Sequence, residues 1–141
     1  MKKEYEIKAK DFVRAGKASI GVQSILKNIG FQQDIIRRIC ICAYESEMNV
    51  VMHGADGTLS LNVGDKEIVL EVKDCGKGIE DIEMALKEGY STASEEHRDM
   101  GFGAGMGLPN IKKNSDNFEI TSQKGNGTHL KMVFRVNGNR E

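Results

Sequence analysis

The segment from about Gln32 to Met52 constrains the fold more than any other part of the chain. Ile35, Ile36, Ile39, Ile41, Met48, Val50 and Val51 suit a helix, and at its period they spread around most of the circumference. Such a helix needs cover on several sides, so the rest of the chain has to be built around it. Yet it also carries polar groups. In "AYESEMNVVMHG", residues 43–54, Glu45, Asn49 and His53 lie four apart and stack in one stripe. Burying that stripe without partners is costly, so it faces either a solvent edge or a ligand.

The flanking segments supply the cover. "YEIKA" (5–9) reads as a short edge strand, and a helix is expected from about Asp11 to Asn28. Phe12, Val13, Ile20, Ile25 and Leu26 are its apolar positions, and Gly30 ends it. After Met52 the period changes to two. "TLSLNV" alternates Leu59, Leu61 and Val63 with polar residues, Gly64-Asp65 is a turn dipeptide, and "KEIVLEVKD" returns as a strand. A polar stretch, "STASEEHRDM", precedes the glycine-rich "GFGAGMG" and a short helix from about Leu108 to Asn114. Two more strands, "NFEITS" and "THLKMVFRV", follow. The order predicts an α+β, two-layer sandwich: a mixed, mostly antiparallel sheet with helices on one face.

At 141 residues the chain suits one domain with a single two-layer core. With 39% hydrophobic and 29% charged residues it reads as soluble and globular, and a net charge of −1 gives no case for nucleic acid or an acidic membrane. The longest apolar runs fall well short of the roughly 20 residues a bilayer span needs. "MKKEYEIKAK" is charged throughout, unlike a secretory signal, so a cytoplasmic location is expected. Cys40, Cys42 and Cys75 are odd in number and read as core or near-core thiols rather than a disulfide framework or metal site.

Three signals carry chemistry. Glu45 and Asn49 offer a proton acceptor and an uncharged oxygen ligand suited to Mg²⁺ beside phosphates, or else a polar helix edge. In "DCGKGI", Asp74 shares a strand face with Ile68, Leu70 and Val72, so its carboxylate points inward and needs a donor such as the exocyclic amine of a base. Gly76 and Gly78 leave room for a flat ring, although a plain D-x-G turn has the same pattern. In "GFGAGMGLP", Gly101, Gly103, Gly105 and Gly107 free the backbone to turn N–H groups towards an anion, and Pro109 suits the following first helical turn. A glycine loop running into a helix start is a phosphate site by geometry and dipole; the alternative is a flexible linker.

Other phosphate patterns fail. From Gly101, Met106 stands where the third glycine of G-x-G-x-x-G belongs. Asp11 and Glu71 occupy the glycine position required before Gly16-Lys17 and Gly76-Lys77 in a P-loop, and the full H-R-D-L-x-x-x-N and D-F-G kinase signatures are missing.

The order E-x-x-x-N-x-x-x-H, D-x-G-x-G-I, G-x-G-x-G-L and a late G-T resembles the GHKL superfamily of DNA gyrase, heat-shock chaperones, histidine kinases and mismatch-repair ATPases. The match runs from about Glu45 to Thr128. "GYST…GMGLP" and "GLPNIKKNSD" are most similar to its anti-sigma factor and switch serine/threonine kinase branch.

The resemblance implies roles. Glu45 corresponds to the general base, Asn49 to the Mg²⁺ ligand and Asp74 to the adenine contact. Gly76 and Gly78 would floor the adenine pocket, and Gly103, Gly105 and Gly107 would line the triphosphate. Thr128 would reach the base through water, and residues 90–103 would form a lid. Ile79, Gly101, Met106, Leu108 and His53 complete the implied ATP-binding set, though His53 suits packing beside the pocket equally well. Glu47 faces elsewhere, as a structural or exposed carboxylate. Arg98 falls in the lid within reach of phosphate, and Lys112 and Lys113 suit solvent.

By the same resemblance the activity is serine/threonine phosphorylation of a STAS-domain antagonist in bacterial sigma-factor and stress regulation. A sigma factor or a phosphatase are further partners, and monomer and homodimer both stay open. The alternatives are an anti-sigma binding module shaped by ATP, and a hydrolytic ATPase or histidine-kinase catalytic domain.

Overall fold

The computed structural model describes residues 1–53, 55–76, 107–122 and 127–136. Strand β1 (Lys2–Ile7) is followed by helices α1 (Lys17–Ile29) and α2 (Gln33–His53). Strands β2 (Gly57–Val63) and β3 (Glu67–Asp74) come next, then helix α3 (Gly107–Asn114) and strands β4 (Asn117–Ser122) and β5 (Thr128–Arg135). The strands form one sheet in the order β1-β2-β3-β5-β4, and all four pairings are antiparallel. The sheet is thus simpler than a mixed one across the described residues.

Alternation places one face of the sheet in the core. Leu59 and Leu61 of β2, Ile68, Leu70 and Val72 of β3, and Leu130, Met132 and Phe134 of β5 are all buried. Helix α2 covers that face, with α1 and α3 packed against it. Its buried residues include Ile35, Ile36, Ile39, Cys42, Ala43, Met48, Val50, Val51 and Met52, nearly all round the helix. The central role expected of this segment follows from that distribution.

Two element starts differ from the sequence expectation. The edge strand begins at Lys2, because Lys2 to Ile7 pair in unbroken register with Asn62 to Gly57 of β2. Its charged, exposed residues hide the pattern from hydropathy. Helix α1 begins at Lys17 rather than Asp11. The Arg14 N–H donates to Asp11 Oδ1 at 3.3 Å, and Gly16 takes the left-handed conformation (φ 95°) just before the helix. Val13, expected as a core position, is consequently 95% exposed, and Ile20 is exposed as well. At the other end Gly30 donates its N–H to the Leu26 and Lys27 carbonyls and closes the helix as expected.

Candidate functional site

The polar stripe of α2 lies against the start of α3. Glu45 and Asn49 are both partly buried. A Cβ added at Gly107, the first residue of α3, would stand 3.2 Å from Glu45 Oε2 and 3.5 Å from Asn49 Oδ1. Glycine therefore allows the carboxylate, the amide and the first turn of α3 to converge. That turn contributes backbone N–H groups with no partner inside the helix, carries the positive end of the dipole, and has no acidic residue of its own. Pro109 lacks an N–H at a position where none is needed. The helix is held from behind: Arg38 of α2 donates from Nε to the Asn114 carbonyl at 3.0 Å and from Nη2 to Asp116 Oδ1 at 3.0 Å.

Burial pushes the Glu45 carboxyl above its ordinary range, while a hydrogen bond from the Asn110 side chain holds it back in part. A carboxylate tuned upward is better suited to accept a proton near neutral pH. Glu47, two residues on, serves a different end. Its buried carboxylate accepts the N–H groups of Gly16 (3.1 Å), Ala18 (3.3 Å) and Ser19 (3.0 Å), and the Ser19 hydroxyl at 2.6 Å. Of the two alternatives left by the sequence, structural or exposed, Glu47 is structural: it caps α1 from another helix.

Asp74 ends β3 opposite Thr128 of β5. Its side chain is partly buried, and desolvation pushes its carboxyl upward against backbone hydrogen bonds from Gly76 and Thr128. The Gly76 N–H reaches Oδ1 at 2.8 Å. The carboxylate is thus fixed, with acceptor capacity left over for an amine. Gly127, at φ 83°, makes this approach possible, because a Cβ there would lie 2.0 Å from the Asp74 carbonyl oxygen. The Thr128 hydroxyl pairs with Ser122 Oγ at 3.0 Å, so its contribution to Asp74 is through the main chain.

Leu108 is 7% exposed and packs in the core, which leaves only its backbone free to meet a ligand. His53 is the last residue of α2. Gly78, Ile79, Gly101, Gly103, Gly105 and Met106 lie outside the described residues, as does the expected lid with Arg98. Lys112 and Lys113 are exposed in the last turn of α3. Cys42 is buried and its thiol is pushed up to about 12, mainly by burial, whereas Cys75 is exposed rather than near the core. No helix among the described residues is long and apolar enough to cross a membrane.

Residues 10–134 match the family model described as the histidine kinase-like ATPase domain. The chain belongs to that family. Within it the chain is 33% identical over 107 residues to the anti-sigma F factor of Caldanaerobacter subterraneus, a match covering 76% of this chain and 67% of that protein. It is 27% identical over 115 residues to the serine/threonine-protein kinase RsbT of Bacillus subtilis, covering 79% of this chain and 80% of the relative. The fold agrees with a solved structure of the RsbU and RsbW domains of Rv1364c from Mycobacterium tuberculosis. The TM-score is 0.61 at 16% identity, over 94% of this chain and 32% of that one. The α+β architecture and the GHKL resemblance, to the anti-sigma and switch-kinase branch, are therefore borne out.

For this ATPase family member, Asp74, Glu45, Asn49 and Gly107 are chemically apt. Asp74 can accept an exocyclic amine, and the gap at Gly107 can admit phosphate oxygens beside free helix N–H groups. Mg²⁺ commonly takes one or two protein oxygens and completes its shell with phosphates and water, so an Asn49 oxygen beside a carboxylate fits that ion.

Proposed function

We propose that the chain binds Mg-ATP and transfers the γ-phosphoryl group to a serine or threonine of a STAS-domain antagonist protein. The observation that carries this reading is the convergence of Glu45 Oε2 and Asn49 Oδ1 on Gly107 at the start of α3. Asp74 would take the adenine amine, and the first turn of α3 the phosphate oxygens. Glu45 would accept the hydroxyl proton of the protein substrate as its oxygen bonds to the γ-phosphorus. The bond from that phosphorus to the β–γ bridging oxygen breaks, and ADP leaves. Mg²⁺, when bound through Asn49, would supply charge neutralisation at the phosphates. Catalysis in such a site is mainly positioning and charge stabilisation. A cytoplasmic location follows from the use of ATP and of a regulatory protein substrate.

Incubation with a STAS-domain protein and γ-labelled ATP tests this. Transfer to the partner that disappears in Glu45→Ala, with Mg-ATP binding retained, is the expected result. The 33% identity to an anti-sigma F factor favours a second reading, in which the nucleotide shapes a surface that binds a sigma factor. Nucleotide-dependent partner binding that Glu45→Ala leaves intact, without phosphotransfer in the wild type, would select that reading. Rapid phosphate release with no protein substrate present would instead select a hydrolytic ATPase.

A further inference from the structure

Asp74, Thr128 and Ser122 form one row across the sheet. Asp74 of β3 is the register partner of Thr128 of β5, and Thr128 is the partner of Ser122 of β4. Directly opposed residues share a face, and the buried Val72 and Leu130, two places along, mark it as the face under α2. The Ser122 hydroxyl lies 3.1 Å from the Gly127 carbonyl oxygen and 3.0 Å from Thr128 Oγ1. A carbonyl can only accept, so the single Ser122 hydroxyl proton goes to Gly127. The contact with Thr128 then needs the Thr128 proton, donated to Ser122 Oγ. Both contacts are satisfied together in this arrangement alone. Thr128 Oγ1 is left with lone pairs to turn towards a ligand beside Asp74. The Asp74 carboxylate, which accepts the Gly76 N–H at 2.8 Å, likewise has acceptors to offer.

We propose that Ser122 is a positioning residue for nucleobase choice: by taking the Thr128 hydroxyl proton it makes the Asp74–Thr128 end of the row a surface of acceptors, which admits a purine with an amine at position 6 and rejects one with an oxygen there. The inference rests on the assignment of Asp74 to the adenine amine. A 6-aminopurine presents N–H donors to these oxygens. A 6-oxopurine presents a carbonyl, and with the Thr128 proton committed to Ser122 that carbonyl meets acceptors and is buried unpaired. Asp74 by itself does not complete the discrimination, because a Thr128 hydroxyl free to rotate could donate to the purine oxygen and relieve the mismatch. Ser122 closes that route from one strand further out, on the edge strand β4. It acts on the base only through the direction in which the Thr128 hydroxyl points.

Titration calorimetry of the full chain with Mg-ATP and with Mg-ITP, whose base carries oxygen at position 6, reads the discrimination. The wild type prefers Mg-ATP. In Ser122→Ala that preference falls about three- to tenfold, the worth of one hydrogen bond, chiefly because Mg-ITP binds more tightly. Ser122→Thr, which keeps a hydroxyl, retains the wild-type preference. Ser122→Ala made in a Thr128→Val chain changes the preference no further, since no hydroxyl is left to redirect, whereas a mere loosening of β4 would lower it in both backgrounds. An equal fall in both backgrounds therefore overturns the inference. A wild type that prefers Mg-ATP, loses the preference in Asp74→Asn and keeps it in Ser122→Ala overturns the inference and leaves the adenine assignment standing. A wild type with no preference between the two nucleotides overturns both.

Discussion

Removing the Glu47 carboxylate should unfold α1 from its neighbours while leaving the rest of the site's side chains in place. Glu47 is 3% exposed and accepts four hydrogen bonds, three from the backbone at the start of α1 and one from Ser19 Oγ. That start has no side-chain cap of its own, because Gly16 occupies the cap position. Glu47→Ala therefore leaves buried N–H donors at Gly16, Ala18 and Ser19 without their acceptor. Each stranded donor costs about 1–3 kcal/mol, but the losses are coupled and water enters part of the space, so about 3–5 kcal/mol in all is reasonable. For a domain of this size that is a fall in Tm of roughly 10 °C or more. Urea and thermal unfolding measure it, and amide hydrogen exchange localises it: protection at residues 16–19 should fall ahead of the centre of α2. Glu47→Gln keeps one acceptor and points an NH₂ at other donors, so it should lose about half as much. A loss under about 1 kcal/mol in Glu47→Ala, or exchange unchanged at those amides, would refute the capping argument.

Asp74→Asn should weaken Mg-ATP binding by about 1–3 kcal/mol, because an amide both loses acceptor capacity for the adenine amine and faces the Gly76 N–H with its NH₂ in one orientation. Titration calorimetry reads this directly, and unchanged affinity counts against the adenine assignment. Gly107→Ala puts a methyl group 3.2 Å from Glu45 Oε2, so the acid must shift by a few tenths of an ångström. Phosphotransfer should fall by about tenfold or more while stability changes by less than about 1 kcal/mol; a fully active variant would mean that the convergence is not used. Burial raises the Glu45 carboxyl, so the folded state favours its uncharged form. That contribution to stability is present below the ordinary glutamate value of 4.5 and is lost as pH rises through the raised value in the folded protein. Glu45→Gln should thus be more stable than the wild type at neutral pH, with the difference shrinking towards acid; urea midpoints across that range would show it, and a less stable variant at neutral pH would contradict it.

Much of the fold was legible because local chemistry and tertiary demand agree. The period-two run of β3, the Gly64 turn and the closing Gly30 all coincide with what the structure needs. The failures occur where they disagree. Strand β1 is charged and exposed, so its membership of the sheet depends on backbone pairing with β2. The helical pattern of residues 11–16 gave way to an Asp11 turn and a left-handed Gly16. At the site, Glu45 and Asn49 could be picked out by spacing, and Asp74 by strand alternation. Asn110 could not, since an asparagine three residues into a helix has many uses and its partner lies 65 residues earlier in the chain.

The sequence by itself determined that one helix, apolar almost all round, must lie at the centre with a polar stripe on it, and that an inward acid and a glycine-flanked helix start must accompany it. Periodicity and backbone freedom are local properties, so the order of residues suffices to state them. Whether Glu47 is an exposed carboxylate or a structural one was decided only by tertiary structure. Glu45 and Glu47 are two residues apart on one helix and so face different neighbours: one meets the start of α3, the other the start of α1. A carboxylate's role follows from the donors around it, and those donors come from helices that only folding brings together.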